Sequence, residues 1–246
     1  MALTTRTFGP LSCQIYDQLP AETKPQIIAV VSHGFGAPGD DLVPLGPEIL
    51  RQNAALADKV QFVFPAAPLS LIEMGIPGGR AWWMLDVAAL NEAIATGKIR
   101  DQRGQTPDGL LEAGQQYRAM LDALLQETGV PLSQCVLAGF SQGSMVSTEV
   151  ALQLPEPPAA LAIWSGTLLC EDRWGDLADQ LARFPVQQSH GTQDPILPFD
   201  GAIWLKEMLE QRDYAVDFTE FVGPHTIPQP ALDKFGSLLA DLTSSL

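Results

Sequence analysis

The sequence is short of positive charge. Only 14 of its 246 residues are Lys or Arg, against 29 Asp or Glu, and the formal net charge is −15 at pH 7. The few basic residues form no dense cluster. Such a surface neither neutralises phosphates nor docks electrostatically on anionic lipid, which argues against nucleic-acid partners. Long apolar runs are missing too. Stretches such as Ile27 to Val31 fall far short of the roughly 20 residues a membrane span requires. Met1 to Arg6 carries no apolar core of a signal peptide. The three cysteines, Cys13, Cys135 and Cys170, are widely spaced, and no C-x-x-C metal or redox spacing exists. A reduced, cytoplasmic setting is therefore expected. Gly78-Gly79-Arg80 lacks the strand–loop–Lys context of a phosphate-binding loop. Neither a cofactor nor a metal is implied. No repeat and no linker divides the chain, so one domain spanning 1–246 is expected.

What is present is an alternation of short apolar runs and helical patterns. Strands are expected at Gln26–Val31, Val60–Phe64, Cys135–Ala138, Ala159–Trp164, Pro185–Ser189 and Ala215–Phe221, with an edge strand at Leu11–Gln18. Continuous rather than alternating hydrophobicity in Gln26–Val31 marks a strand covered on both faces, as in a parallel sheet. Helices are expected at Glu48–Ala57, Leu110–Glu127, Ser144–Leu154, Phe199–Arg212 and Pro230–Leu242. The stretch 69–107 reads as irregular, with a short helix at Asp86–Ala95 and an exposed loop at Gly97–Pro107, and it is a candidate lid. The class is α/β, a doubly wound, mostly parallel sheet with helices on both faces and chemistry at the carboxyl ends of the strands.

One stretch organises the rest. Gly139-Phe-Ser-Gln-Gly143 stands between an apolar strand and a helix, which is the nucleophile-elbow pattern G-x-S-x-G. Side chains at the flanking positions would collide with the strained apex, so glycine fits there. The hydroxyl of Ser141 is thereby held at a helix N-terminus that favours developing negative charge. A serine needs a base, and the chain offers only His33, His190 and His225. In the order Ser, acid, His, the choice is His225, with Asp194 between. His190, at the end of a buried strand, is the rival base and is better suited to a structural hydrogen bond. Asp172 and Asp176 are rival acids in a charged, solvated stretch. The oxyanion would take one N–H from Gln142 and another from the loop His33-Gly-Phe-Gly36.

These motifs, with Ser32-His-Gly-Phe-Gly-Ala37, Ala81-Trp-Trp83, His190-Gly-Thr-Gln-Asp-Pro-Ile-Leu-Pro198 and Gly223-Pro-His-Thr-Ile227, come in the order and spacing of one family. The chain resembles the phospholipase/carboxylesterase family of α/β hydrolases, which includes acyl-protein thioesterases and lysophospholipases. The resemblance runs from about residue 26 to the end. It implies Ser141, Asp194 and His225 as the triad and the Phe35 and Gln142 amides as the oxyanion hole. Three departures stand out: Ser144 where the family usually has Gly, Ser32 where it commonly has an apolar residue, and a segment Asp86–Pro107 longer than usual.

Apolar residues on loops at the strand-end face, Phe35, Leu71, Ile72, Met74, Ile76, Trp82, Trp83, Ile196 and Leu197, suggest an acyl pocket. Of these, Trp82, Trp83, Ile196 and Leu197 are the candidate substrate contacts. Trp82 and Trp83 could equally pack the loop, leaving one near substrate. The expected function is hydrolysis of carboxylic esters or thioesters with small to medium apolar acyl groups. A small-molecule or lipid ester, or an acylated protein, would be the partner. Lysophospholipase or acyl-protein thioesterase action on long chains is the alternative, and a non-catalytic binding protein on the same fold a remote one.

Overall fold

The computed structural model describes residues 2–96 and 101–246. Along the chain the strands are β1 (Ala2–Phe8), β2 (Leu11–Asp17), β3 (Ile27–Ser32), β4 (Val60–Pro65), the two-residue pair β5 (Leu69–Ser70) and β6 (Arg80–Ala81), β7 (Cys135–Phe140), β8 (Ala160–Trp164), β9 (Val186–Gly191) and β10 (Val216–Phe221). The helices are α1 (Leu45–Gln52), α2 (Val87–Thr96), α3 (Leu110–Thr128), α4 (Gln142–Leu152), α5 (Glu171–Gln180), α6 (Phe199–Glu210) and α7 (Gln229–Ser244). One large sheet has the order β1-β2-β4-β3-β7-β8-β9-β10, while β5 and β6 pair separately. From β4 to β10 neighbours run parallel, and β2 runs antiparallel to both β1 and β4.

The sheet divides the core in two, and the strand sequences show why. In β3, Ile28 and Val30 face one cluster while Ile27, Ala29 and Val31 face the other. β7 and β8 alternate in the same way, with Leu137 and Ile163 on one side and Val136 and Trp164 on the other. A strand that buries both faces needs apolar residues at every position, because its side chains alternate with period 2. Helices α3, α4, α5 and α6 cover the first face, α1 and α7 the second. Helix α4 is buried along its whole length, as befits a helix enclosed by the sheet, α3 and α5.

Three differences from the sequence expectation have physical causes. The sheet's edge is β1, not Leu11–Gln18. Residues 3–7 of β1 are exposed, so no burial pattern marks the strand. It is held by its full ladder to β2 through a tight turn at Gly9, whose φ of 49° and close approach to the Ala119 carbonyl exclude a side chain. The charged stretch at Glu171–Gln180 is a helix. Trp174, Gly175 and Ala178 form its buried stripe, while Asp172 and Asp176 face solvent. Residues 69–81 are not wholly irregular, since the β5–β6 hairpin orders them. Of the expected exposed loop at 97–107, residues 97–100 lie outside the described residues, and 101–107 form turns and coil.

Candidate active site

The carboxyl ends of β3, β7, β9 and β10 bring the chemistry-bearing motifs together. At the end of β7, Ser141 has φ 54° and ψ −123°, a conformation a side-chain-bearing residue holds only under constraint. The constraints are visible. Its N–H donates to the Trp164 carbonyl at 2.9 Å, and the Ser144 hydroxyl donates to its carbonyl at 2.7 Å. The serine at position 144 thus locks the elbow from below. A Cβ at Gly139 would collide with the Gly143 backbone, and one at Gly143 with the Ser32 carbonyl. Both glycines are therefore required by contact. Helix α4 starts at Gln142, whose N–H, as the first of the helix, has no intrahelical acceptor.

Asp194 and His225 meet across two loops. His225 Nδ1 lies 2.6 Å from Asp194 Oδ2, which fixes the proton on Nδ1 and leaves Nε2 as a base. The imidazole packs against the ring of Phe140, the residue before Ser141, with centroids 4.7 Å apart and planes tilted by 42°. Asp194 Oδ1 accepts from the Ile196 and Leu197 amides at 2.8 and 2.9 Å. Burial alone would raise the Asp194 pKa. Hydrogen bonds from His190 and His225 and the His225 charge outweigh it, holding the carboxyl well below the usual carboxylate range.

His190 is not positioned as the base. It is fully buried, and its Nε2 donates to the Leu197 carbonyl at 2.8 Å, with Asp194 Oδ2 at 3.2 Å. His33 is likewise structural. Nδ1 donates to the Gly34 carbonyl and Nε2 accepts from the Ala67 amide, at 2.8 and 3.0 Å. Burial lowers its pKa and keeps it neutral. It anchors the loop bearing Gly34 and Phe35, and Gly34 lies so close that a Cβ there would sit 3.2 Å from Ser141 Cβ.

A cavity of about 490 Å³ opens beside Ser141 and Gln142. Trp83, Met84, Leu85, Leu90, Met145, Ile196 and Leu197 give it an apolar lining, and Asp86, Gln102, Gln105, Thr106 and Asp108 a polar one. Of the four candidate substrate contacts, Trp83, Ile196 and Leu197 line it. Trp82 does not. It is buried against Tyr117, ring centroids 5.5 Å apart, and its indole N–H donates to the His33 carbonyl at 3.0 Å. Leu71 is also buried, while Ile72 and Met74 are exposed. Sequence reasoning missed Met145, one turn into α4, although its i+4 spacing from Ser141 places it over the elbow. It also missed the Gln142 side chain and the Arg80 guanidinium, which donates to the Ala67 and Pro68 carbonyls.

The Phospholipase/Carboxylesterase family model matches residues 19–241. The chain is 29% identical over 179 residues to acyl-protein thioesterase 1 of Eremothecium gossypii, covering 70% of this chain and 68% of that one. It is 23% identical over 231 residues to acyl-protein thioesterase 1 of Neurospora crassa, covering 91% and 89%. Among solved structures, esterase PE8 superposes with a TM-score of 0.78 at 28% identity, covering 94% of this chain and 99% of that one. A carboxylesterase of Bacillus cereus shares the fold, with a TM-score of 0.65 at 15% identity and 94% coverage of each chain.

Proposed function

Because this chain belongs to the Phospholipase/Carboxylesterase family of α/β hydrolases, we propose that it is a serine hydrolase of carboxylic esters or thioesters with small to medium apolar acyl groups. His225 Nε2 takes the Ser141 proton as Oγ attacks the acyl carbon, and Asp194 holds the imidazole in the required tautomer and offsets its charge. The Gln142 and Phe35 amides stabilise the oxyanion. Collapse of the tetrahedral intermediate expels the alcohol or thiol, which takes its proton from His225. Water then enters by the same base and releases the acid. No cofactor takes part in these steps.

The observation that carries this reading is the 2.6 Å pairing of His225 Nδ1 with Asp194 Oδ2, the His225 ring lying on Phe140, whose neighbour Ser141 is forced to φ 54° at a helix N-terminus. The mixed lining of the cavity favours acyl groups of modest length. The acyl-protein thioesterase names of its relatives support a second reading, in which the acyl donor is a long-chain thioester on a protein. The three cysteines are free and buried, in keeping with a cytoplasmic setting. Among the described residues no helix is long and apolar enough to cross a membrane.

The test is hydrolysis of p-nitrophenyl esters from acetyl to palmitoyl, with Ser141→Ala alongside. A loss of about 10⁴-fold or more in kcat is expected for the variant, together with loss of labelling by a fluorophosphonate. Full activity in Ser141→Ala would overturn the proposal. A long-chain optimum would favour the second reading.

A further inference from the structure

The carboxamide of Gln142 is almost completely buried, yet it touches neither Asp194 nor His225. Its Oε1 accepts from the Trp82 amide at 2.9 Å, and its Nε2 donates to the Trp83 carbonyl at 2.8 Å. One partner is an obligate donor and the other an obligate acceptor, so the orientation of the amide is fixed by its neighbours. In effect the side chain stands in for one rung of a sheet, laid between the nucleophile elbow and the segment Arg80–Trp83.

That segment is bonded on its other side to the loop bearing Phe35. Gly36 N–H donates to the Arg80 carbonyl at 2.9 Å, Arg80 N–H to the Ala37 carbonyl at 3.0 Å, and the Trp82 indole to the His33 carbonyl at 3.0 Å. The two proposed oxyanion donors therefore belong to segments far apart in sequence, and 80–83 bridges them. Gln142 is the side chain that closes the bridge. The same carboxamide holds Trp83, a wall of the cavity.

We propose that the Gln142 side chain is a positioning residue, which sets the separation of the Phe35 and Gln142 amides and the register of the Trp83 wall. The inference rests on the serine-hydrolase reading above. Its physical basis is that an oxyanion donor works only when preorganised at hydrogen-bond distance from where charge develops, and displacements near 1 Å can cost about 10²-fold in rate.

The experiment compares Gln142→Met, which keeps the volume but loses both hydrogen bonds, with the wild type. A second variant, Trp82→Phe, keeps an aromatic ring beside Tyr117 and loses the indole N–H to His33 together with the packing of the second ring. Expected for Gln142→Met is a fall in kcat of about 10- to 100-fold with KM within about threefold. Its affinity for a boronic acid that mimics the tetrahedral intermediate should weaken by the same factor as kcat/KM. Affinity for a non-hydrolysable ether analogue of the ester, which has no carbonyl and places no charge on the two amides, should hold. Trp82→Phe should show the same pattern at a smaller amplitude.

An unchanged kcat, a loss expressed wholly in KM, or boronic-acid affinity that does not follow kcat/KM would overturn the inference. Should Gln142→Met fail to fold, Trp82→Phe decides by the same criteria. An inactive Ser141→Ala beside a fully active Gln142→Met would sink this inference alone, whereas a fully active Ser141→Ala would sink the reading beneath it.

Discussion

Two carboxylates at the carboxyl end of the sheet are held very differently. Asp194 is buried and directs Oδ1 to two backbone amides and Oδ2 to His225, with His190 close by. Asp86, in the cavity wall, is exposed and accepts from the Ala89 amide as a cap on α2. The contrast extends to their surroundings. The elbow, the Asp194 loop and the His225 loop are interlocked, down to the Ser165 hydroxyl donating to the Thr226 carbonyl at 3.0 Å. Helix α2 has no buried residue. Among the described residues beyond it, Arg103 and Gln105 accept at their carbonyls from the Glu171 and Cys170 amides, and Arg103 lies over the Trp204 ring. The proton transfer and charge stabilisation of the proposed mechanism need geometry fixed to fractions of an ångström, and the interlocked half is the one held that closely. On the proposed reading, substitutions in the outer wall should shift acyl preference and leave that geometry in place.

The comparison can be broken first at Asp194. Asp194→Asn should lower kcat by about 10⁴-fold, because the imidazole loses the partner that fixes its tautomer and balances its charge, as ester kinetics would register. The same variant carries a stability signature. A carboxyl whose pKa is depressed in the folded state contributes stability above its unfolded pKa, and loses it as pH falls below about 3.9 toward the folded value. The melting-temperature gap between wild type and Asp194→Asn should therefore be widest near neutral pH and shrink below pH 4. A gap independent of pH would mean that the carboxylate's charge is not what the loop relies on.

Gly34→Ala tests the interlock more gently. Its methyl would stand 3.2 Å from Ser141 Cβ, tighter than an ordinary contact, so the loop must give by a few tenths of an ångström. A kcat reduced by roughly tenfold, with the fold retained by circular dichroism, is expected. The smallest effect belongs to the outer wall. Leu90→Ala should alter the ratio of rates on long and short acyl esters by roughly tenfold or less and change the acetyl ester rate least. Equal losses at every chain length would place Leu90 in the interlocked half instead.

The parts readable in the sequence were those governed by local sterics and period. Runs such as Ile27 to Val31 are apolar at every position because both faces of the strand are covered. Gly139 and Gly143 flank Ser141 because the backbone of the turn and of β3 leaves room for nothing larger. The candidates Ser141, Asp194 and His225 came instead from the order Ser, acid, His and from the family resemblance, and the structure brings Asp194 and His225 together. β1 escaped notice because it lies exposed on an edge, and α5 because its apolar stripe, Trp174, Leu177 and Ala178, is short and set amid charge, tied to α4 by Arg173 and by the Trp174 indole on buried Glu149, the latter at 2.7 Å.

By itself, then, the sequence determined the apolar interior strands and the glycine-flanked turn at Ser141. These follow from neighbours in the chain and from the alternation of side chains along a strand. Only the tertiary structure decided that Trp83 rather than Trp82 faces the cavity, that His190 donates beside Asp194, and that the Gln142 amide joins the elbow to the segment beside Phe35. Such contacts join segments distant in sequence, and the distances and hydrogen-bond directions that select one partner over another exist only once the chain has closed around them.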